Sequence, residues 1–198
     1  MPAATAEQSY ERDPRKSRLA RIIEEKSLIR GPEMRLASGA VSNFYFDMKP
    51  TTFDPEGANL IAELILDILS PGEIDLIGGL EMGAVPIVAC VCQKSFGSRS
   101  IPGFFVRKQE KKHGTRRLIE GIAEIAANET LSNKRAVLLD DVTTTGGSVL
   151  KAVEAARREG CIVNQVITVV DRLEGAKENL GQHGVQLIAL LTADDFAL

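Results

Sequence analysis

Two adjacent acids and a hydroxyl-rich turn that contains glycine form the stretch of this sequence best suited to chemistry. Residues 140–148 read DDVTTTGGS. Glycines let backbone N–H groups approach an anion closely, a helix start adds its positive end, and hydroxyl groups donate further hydrogen bonds. We therefore predict a phosphate site here. Its candidate residues are Asp140, Asp141, Val142, Thr143, Thr144, Thr145, Gly146, Gly147 and Ser148.

The two acids narrow the ligand to a phosphorylated sugar. Just ahead of a phosphate site, Asp140 and Asp141 would lie where the sugar displays its hydroxyls, and a carboxylate accepts hydrogen bonds from a vicinal diol. The alternative is that one acid caps a turn and the other is solvated. The chain contains no GxxxxGK[ST] sequence, so the stretch is not the P-loop of an ATPase.

A strand and a helix must position this site, and the flanking sequence predicts both. AVLL is a buried strand with the acids at its exit, and a helix starts near Ser148 and ends at Gly160. Similar strand and helix units run from IDLIGG to VQLIALL. Short apolar strands separated by helices are typical of a sheet covered on both faces. We predict an α/β fold with an open, mostly parallel sheet flanked by helices, and ligands beyond the carboxyl ends of its strands.

Length and composition set the limits of the prediction. A chain of 198 residues with 44% hydrophobic content suffices for one domain over residues 1–198, with one well-buried core. We expect a flexible N-terminus over about residues 1–16, then a helix with Ser17 as a plausible cap. Residues 107–133 are predicted to be a long, mobile loop.

Charge and cysteine content exclude several classes of function. A formal net charge of −3 gives no reason to expect a nucleic-acid partner. No apolar run approaches the roughly 20 residues of a membrane-spanning helix, so we expect no membrane association. Cys90 and Cys92 lie two apart in a predicted helix and are interpreted as packing residues, which fits the reducing cytoplasm.

A basic segment supplies cations for a second anion. Residues 107–117, RKQEKKHGTRR, hold six Lys or Arg and one His against one acid. Such a run is often only a solvated face. Here it follows a predicted strand and enters an irregular stretch that contains Gly114 and Gly121, a composition typical of a lid that closes over an anion.

The DDVTTTGGS stretch, placed between strand and helix, resembles the phosphoribosyl-pyrophosphate signature of the type I phosphoribosyltransferases. The similarity covers nearly the whole chain from about Ser17 and is greatest to the branch of the family that acts on orotate. Its other pieces, in the family's order and at similar separations, are LASGAVSNFYFDMK, GGLEMGAVP, FFVRKQEKKHGTRRLIEG and VVDR.

This resemblance implies both a fold and a reaction. The fold would be that of type I phosphoribosyltransferases, with a small N-terminal hood region. The reaction would be transfer of ribose 5-phosphate from phosphoribosyl pyrophosphate to N1 of orotate, giving orotidine 5′-monophosphate and pyrophosphate in de novo pyrimidine (UMP) biosynthesis. The resemblance also implies Mg²⁺, held mainly by phosphoribosyl pyrophosphate, and a homodimer whose loop is shared between subunits.

Site residues follow from the same resemblance. Departing pyrophosphate builds negative charge while the ribose becomes oxocarbenium-like, so cations aimed at the leaving group would stabilise the transition state. The matching positions for pyrophosphate are Arg107, Lys108, Lys111 and His113, and the residues that would take part in catalysis are Lys111, His113, Asp140 and Asp141. The matching positions for orotate are Thr144, Arg172, Tyr45 and Phe46, of which Arg172 can fork onto a carboxylate or carbonyl edge and the two rings can stack or simply pack.

The chain departs from the family's pattern at two positions. Many relatives have lysine where this sequence has Ala37 and Met82. Lys49 is a candidate to replace one of them, although packing could equally explain it. Two other functions stay open at this point, a purine phosphoribosyltransferase and a non-catalytic sensor of phosphoribosyl pyrophosphate. The placement of FYFD and Arg172 argues against the first, and the absence of a helix-turn-helix pattern in residues 1–40 argues against the second.

Overall fold

A computed structural model describes residues 13–35, 41–69, 72–109, 118–122 and 131–198 of the chain. Within these ranges the strands are β1 (Leu28–Arg35), β2 (Val41–Phe46), β3 (Leu76–Leu80), β4 (Gly103–Val106), β5 (Ile119–Glu120), β6 (Arg135–Thr143), β7 (Ile162–Asp171) and β8 (Gln186–Thr192). The helices are α1 (Pro14–Lys26), α2 (Lys49–Thr52), α3 (Pro55–Ile68), α4 (Ala84–Ser95), α5 (Gly147–Arg158) and α6 (Ala176–Gln182), and a 3₁₀ turn spans Ala193–Asp195.

The main sheet confirms the predicted open, mostly parallel architecture. In the part of the chain that the structure describes, it has six strands in the order β5-β4-β3-β6-β7-β8. All neighbouring pairs are parallel except β4 with β5. Every residue of β3 is buried, as the continuous apolar run LIGGL requires of a strand covered on both faces.

Hydrophobic cores lie on the two faces of this sheet. One joins α1, α3 and α4, with members such as Leu19, Ile61 and Ile87. The other joins α5 and α6 to Phe104, with members such as Val153 and Leu180. Both cores include side chains of β7, because alternate residues of a strand point to opposite faces. The helices thus hold β6 and β7 rigidly at the centre of the sheet.

The N-terminal helix begins earlier than the sequence suggested. Pro14 is its first residue and Asp13 is its cap, with the Asp13 side chain accepting a hydrogen bond from the Arg15 backbone N–H. The prediction that Ser17 caps this helix is therefore wrong. Proline at the first helical position lacks an N–H that would have no intrahelical partner there, so the helix can start three residues before Ser17.

The predicted loop over residues 107–133 contains regular structure. Strand β5 pairs with the end of β4, joining Phe105 to Glu120 and Val106 to Ile119. Ile119 and Leu131 are buried. The rest of the predicted loop, residues 110–117 and 123–130, lies outside the described residues. None of the helices that the structure describes is long and apolar enough to cross a membrane.

Candidate functional site

The sequence suggested that Asp140 and Asp141 lie at the exit of their strand. In the structure both lie within β6. β6 continues to Thr143 because its partner β7 pairs with it as far as Asp171. On the other side, β3 pairs only as far as Gly79 with Leu139. Strand β7 therefore holds the acids on one side. On the other side the pairing with β3 has ended, and no strand that the structure describes covers them there. This gap at the carboxyl edge of the sheet is where ligands bind in open α/β sheets.

A cavity of about 350 Å³ fills this gap. The acids of β6 form one wall, and Met82 and Gly83, from the turn between β3 and α4, form another. The turn approaches very closely, since a Cβ atom added to Gly83 would overlap the Asp141 carboxylate. Glycine at position 83 is therefore what lets Asp141 sit against the turn.

Burial raises the pKa of both acids. Burial is the main cause that raises the pKa of Asp140, and the negative charge of Asp141 raises it further. The Thr143 hydroxyl donates a hydrogen bond to Asp140 at 3.2 Å and opposes this shift. Burial also raises the pKa of Asp141, while the positive charge of Lys49 acts in the opposite direction. The pair is thus poised for a ligand that brings positive charge or hydroxyl donors.

The raised pKa of Asp140 predicts that this carboxylate lowers the stability of the ligand-free protein at neutral pH. The folded state binds this proton more tightly than the unfolded chain, so between the unfolded pKa near 3.8 and the raised folded pKa, stability falls as pH rises. We expect Asp140→Asn to stabilise the ligand-free protein at pH 7 to 8 by about 1 kcal/mol, or ~2–4 °C in Tm. Asn keeps an acceptor for Thr143. Thermal melts from pH 4 to pH 8 measure the effect.

Asp194→Asn is the matched control, because Asp194 is exposed. It should change Tm little across the same range. A Tm gain for Asp140→Asn that is no larger at pH 8 than at pH 4 would contradict the assignment of a raised pKa.

The turn over residues 143–148, called the phosphate turn for its predicted ligand, lies directly beside the acids. Gly146 adopts a left-handed φ of 77° and precedes α5, so the turn can fold back over the helix start. A cavity of about 270 Å³ opens here, lined by residues of the predicted site and by Lys151. Thr145 and Ser148 are exposed, whereas Thr143 is buried and its hydroxyl is directed to Asp140. The Asn179 amide of α6 donates to the Thr145 carbonyl at 2.7 Å and supports the turn from behind.

Arg172 stands at the opposite side of the acidic cavity, just past the end of β7. It is 6% exposed and lines the cavity. Its Nε donates to Glu174 at 2.7 Å, and an Nη atom donates to the Ser42 hydroxyl at 3.1 Å. The guanidinium also lies 4.2 Å from the centroid of the Phe44 ring. The fork is thereby fixed in orientation and has N–H groups left for a ligand.

The two predicted aromatic residues of β2 have different environments. Tyr45 is 41% exposed and lines the cavity beside Arg172. Phe46 also borders the cavity but is 3% exposed, and its ring packs 5.0 Å from the Phe196 ring. Alternation along a strand produces this difference. For stacking on a base, the geometry favours Tyr45, and the Phe46 ring contributes mainly to the core.

Cations border the cavity on two sides. Lys49 on α2 pairs with Asp47 at 2.5 Å and lines the cavity that Met82 also lines. Lys108 is exposed at the cavity mouth, with its backbone N–H donating to Glu81 at 2.8 Å. Arg107 pairs with Glu120 at 3.1 Å and lines a neighbouring cavity of about 410 Å³. Lys111 and His113 lie outside the described residues, so their predicted roles stay predictions.

Sequence reasoning missed several residues of this site. Ser42 and Glu174 orient Arg172, and no signal in the sequence marks Ser42, which is 130 residues away. Asn179 supports the phosphate turn from another helix. Lys151 lines the turn's cavity, and its spacing of three from Ser148 could have indicated this, because residues three apart share one face of a helix.

Known proteins share this sequence and this architecture. The sequence profile of the phosphoribosyl transferase domain matches residues 53–183. The orotate phosphoribosyltransferase of Rhodopseudomonas palustris strain BisB5 is 49% identical over 182 residues, which cover 91% of this chain and 95% of that protein.

Solved structures agree with the sequence matches. The crystal structure of Mycobacterium tuberculosis orotate phosphoribosyltransferase in complex with Fe(III) dicitrate matches with a TM-score of 0.78 at 32% identity, covering 93% of this chain and 100% of that one. The same enzyme in complex with 5-phospho-alpha-D-ribosyl 1-diphosphate matches with a TM-score of 0.74 at 30% identity, covering 93% and 100% of the two chains.

Proposed function

Because the chain belongs to the phosphoribosyltransferase family, and within it to the orotate phosphoribosyltransferases, we propose that it transfers ribose 5-phosphate from phosphoribosyl pyrophosphate to N1 of orotate. The products are orotidine 5′-monophosphate and pyrophosphate. This reaction would serve de novo synthesis of pyrimidine nucleotides. The three free cysteines fit a cytoplasmic enzyme.

The observation that carries this proposal is the joining of three kinds of group at one edge of the sheet. A hydroxyl-rich turn suits the 5′-phosphate, the buried carboxylate of Asp140 and the half-buried one of Asp141 suit the ribose diol, and a fixed guanidinium suits a carboxylate on a planar base. Thr144 lines both the phosphate cavity and the acidic cavity, so it can connect the sugar to the base. Orotate carries a carboxylate to which Arg172 would donate two parallel hydrogen bonds.

In the proposed reaction, the carboxylates of Asp140 and Asp141 hold the ribose and stabilise its developing positive charge as the bond to pyrophosphate breaks. Lys108, with the predicted Lys111 and His113, meets the negative charge of the leaving group. Arg172 and Tyr45 hold orotate so that its N1 faces the anomeric carbon. His113 is a candidate proton donor to pyrophosphate.

Mg²⁺ is proposed as the cofactor, carried mainly by the phosphates of phosphoribosyl pyrophosphate. The site's chemistry fits a hard cation, since burial raises the pKa of both carboxylates and a positive neighbour would relieve that cost. Asp140 and Asp141 would hold it, directly or through the ribose hydroxyls. When bound, Mg²⁺ would neutralise charge on the departing pyrophosphate.

One assay tests substrate, reaction and cofactor together. Orotate absorbance is followed after addition of phosphoribosyl pyrophosphate, with Mg²⁺ or with excess chelator. We expect loss of orotate only with Mg²⁺, and pyrophosphate released in equal amount. Conversion of adenine or hypoxanthine, with orotate untouched, would favour a purine enzyme and refute the proposal.

The family resemblance also leads us to propose a two-fold dimer in which the basic loop of each subunit closes over its partner's site. Lys111→Ala would then damage only the loop and Asp141→Asn only the body of a subunit. A mixed dimer has one intact site and one doubly damaged site. Random exchange makes half of the dimers mixed, so about a quarter of all sites should recover activity. Activity is measured after mixing the two inactive variants under conditions that permit subunit exchange.

Mass spectrometry of the mixture verifies that exchange occurred. If mixed dimers form and the activity stays at the sum of the two separate variants, the loop acts on its own subunit. A chain that stays monomeric in sedimentation would refute the dimer itself.

A further inference from the structure

Lys151 stands on the wall of the phosphate cavity without a role in the sequence motif. It lies on α5, three residues after Ser148, and lines the 270 Å³ cavity of the phosphate turn together with Thr144 and Ser148. It also borders the neighbouring 410 Å³ cavity that Arg107 and Lys108 line. A helical side chain leans toward the helix N-terminus, so Lys151 extends back over the first turn of α5, toward the cavity.

The electrostatic surroundings of Lys151 favour the binding of an anion. It is exposed and forms no ion pair with any residue that the structure describes. The first turn of α5 contains no acid. A cation near the positive end of a helix is unfavourable, and an anion bound there reverses the sign of the interaction. Lys151 therefore contributes little to the stability of the ligand-free protein, whereas it would stabilise a bound phosphate.

The lining of the cavities indicates which phosphate is involved. Lys151 does not border the cavity that contains Asp141, Met82, Tyr45 and Arg172, where the ribose hydroxyls, the pyrophosphate and the base are proposed to bind. Of the two cavities that Asp140 lines, Lys151 borders only the one at the turn, and the 410 Å³ cavity that it shares with Arg107 and Lys108 contains neither acid. The group within reach is therefore the 5′-phosphate.

Building on the proposed function, we propose that Lys151 is a binding residue for the 5′-phosphate of the ribose. The hydroxyls and backbone amides of the turn supply directional hydrogen bonds, and Lys151 supplies the full positive charge that the motif lacks. This contact is shared by phosphoribosyl pyrophosphate and the product nucleotide. Orotate and free pyrophosphate do not use it.

The test compares Lys151→Gln with the unaltered protein in calorimetric titrations of phosphoribosyl pyrophosphate and of pyrophosphate alone. We expect phosphoribosyl pyrophosphate to bind about five- to tenfold more weakly, as loss of one phosphate ion pair predicts, and pyrophosphate to bind equally well. KM for phosphoribosyl pyrophosphate should rise by a similar factor, with KM for orotate unchanged. Lys151→Arg should restore most of the loss.

Lys134→Gln is the matched control, an exposed lysine near the opposite end of β6. The Tm of ligand-free Lys151→Gln should equal or exceed that of the unaltered protein, which excludes a folding defect. Unchanged affinity for phosphoribosyl pyrophosphate, or an equal loss for pyrophosphate, overturns the inference. Neither titration contains orotate, so the two proposals are tested independently. Failure of the unaltered protein to convert orotate would refute the proposed function, while the titrations would still decide the role of Lys151.

Discussion

Asp141→Asn is expected to lower turnover by about two to three orders of magnitude while the protein stays folded, the loss seen when one preorganised electrostatic contact to a transition state is removed. Asn retains an oxygen for the ribose diol but loses the charge that favours an oxocarbenium-like ribose. The position is only half-buried, so the fold does not depend on its charge. Steady-state kinetics with both substrates, together with a thermal melt, measure the two effects.

The position of the carboxylate can be tested separately from its charge. A Cβ atom at residue 83 would overlap the Asp141 carboxylate, so Gly83→Ala should displace it and reduce turnover as well. Gly181→Ala is the control, because nothing lies within 4 Å of a Cβ atom there. Asp141→Asn with normal kinetics would remove this residue from the site.

Arg172→Ala is expected to reduce kcat/KM for orotate by about 10²- to 10³-fold, since a charged bidentate contact to a carboxylate is lost from a buried position. Binding of phosphoribosyl pyrophosphate should stay near normal, because Arg172 does not border the phosphate cavity. Arg172→Lys should recover little of the loss, since an ammonium cannot reproduce the fork. Calorimetric titration of each ligand separates the two effects.

The control for Arg172 is Arg99→Ala. Arg99, like Arg172, donates hydrogen bonds to residues of another element, here the carbonyls of Leu66 and Leu69, but it borders none of the cavities of the site. It should lower stability and leave KM for orotate unchanged. Equal weakening of orotate and phosphoribosyl pyrophosphate by Arg172→Ala would show that Arg172 does not read the base.

The sequence by itself determined the sheet and showed which groups the phosphate turn offers to a ligand. Strands such as LIGGL are apolar at every position, and only burial on both faces accounts for that pattern, so an open parallel sheet followed. The residues of DDVTTTGGS are contiguous, and their joint chemistry is therefore visible without a fold. The start of the first helix was less certain from sequence, since Ser17 was predicted as the cap and the structure uses Asp13, four residues earlier.

Tertiary structure decided everything that depends on partners distant in the chain. β6 reaches Thr143 because β7 pairs with it there, and this pairing holds the two acids inside a strand. The raised pKa of Asp140 comes from burial that several separate elements produce together. Arg172 owes part of its orientation to Ser42, 130 residues away. Lys151 meets the phosphate cavity only because α5 packs with its start beside the acids. Sequence spacing fixes which side chains share a face over a few residues, whereas solvent exclusion, pKa and the aim of a side chain depend on neighbours that folding alone brings into contact.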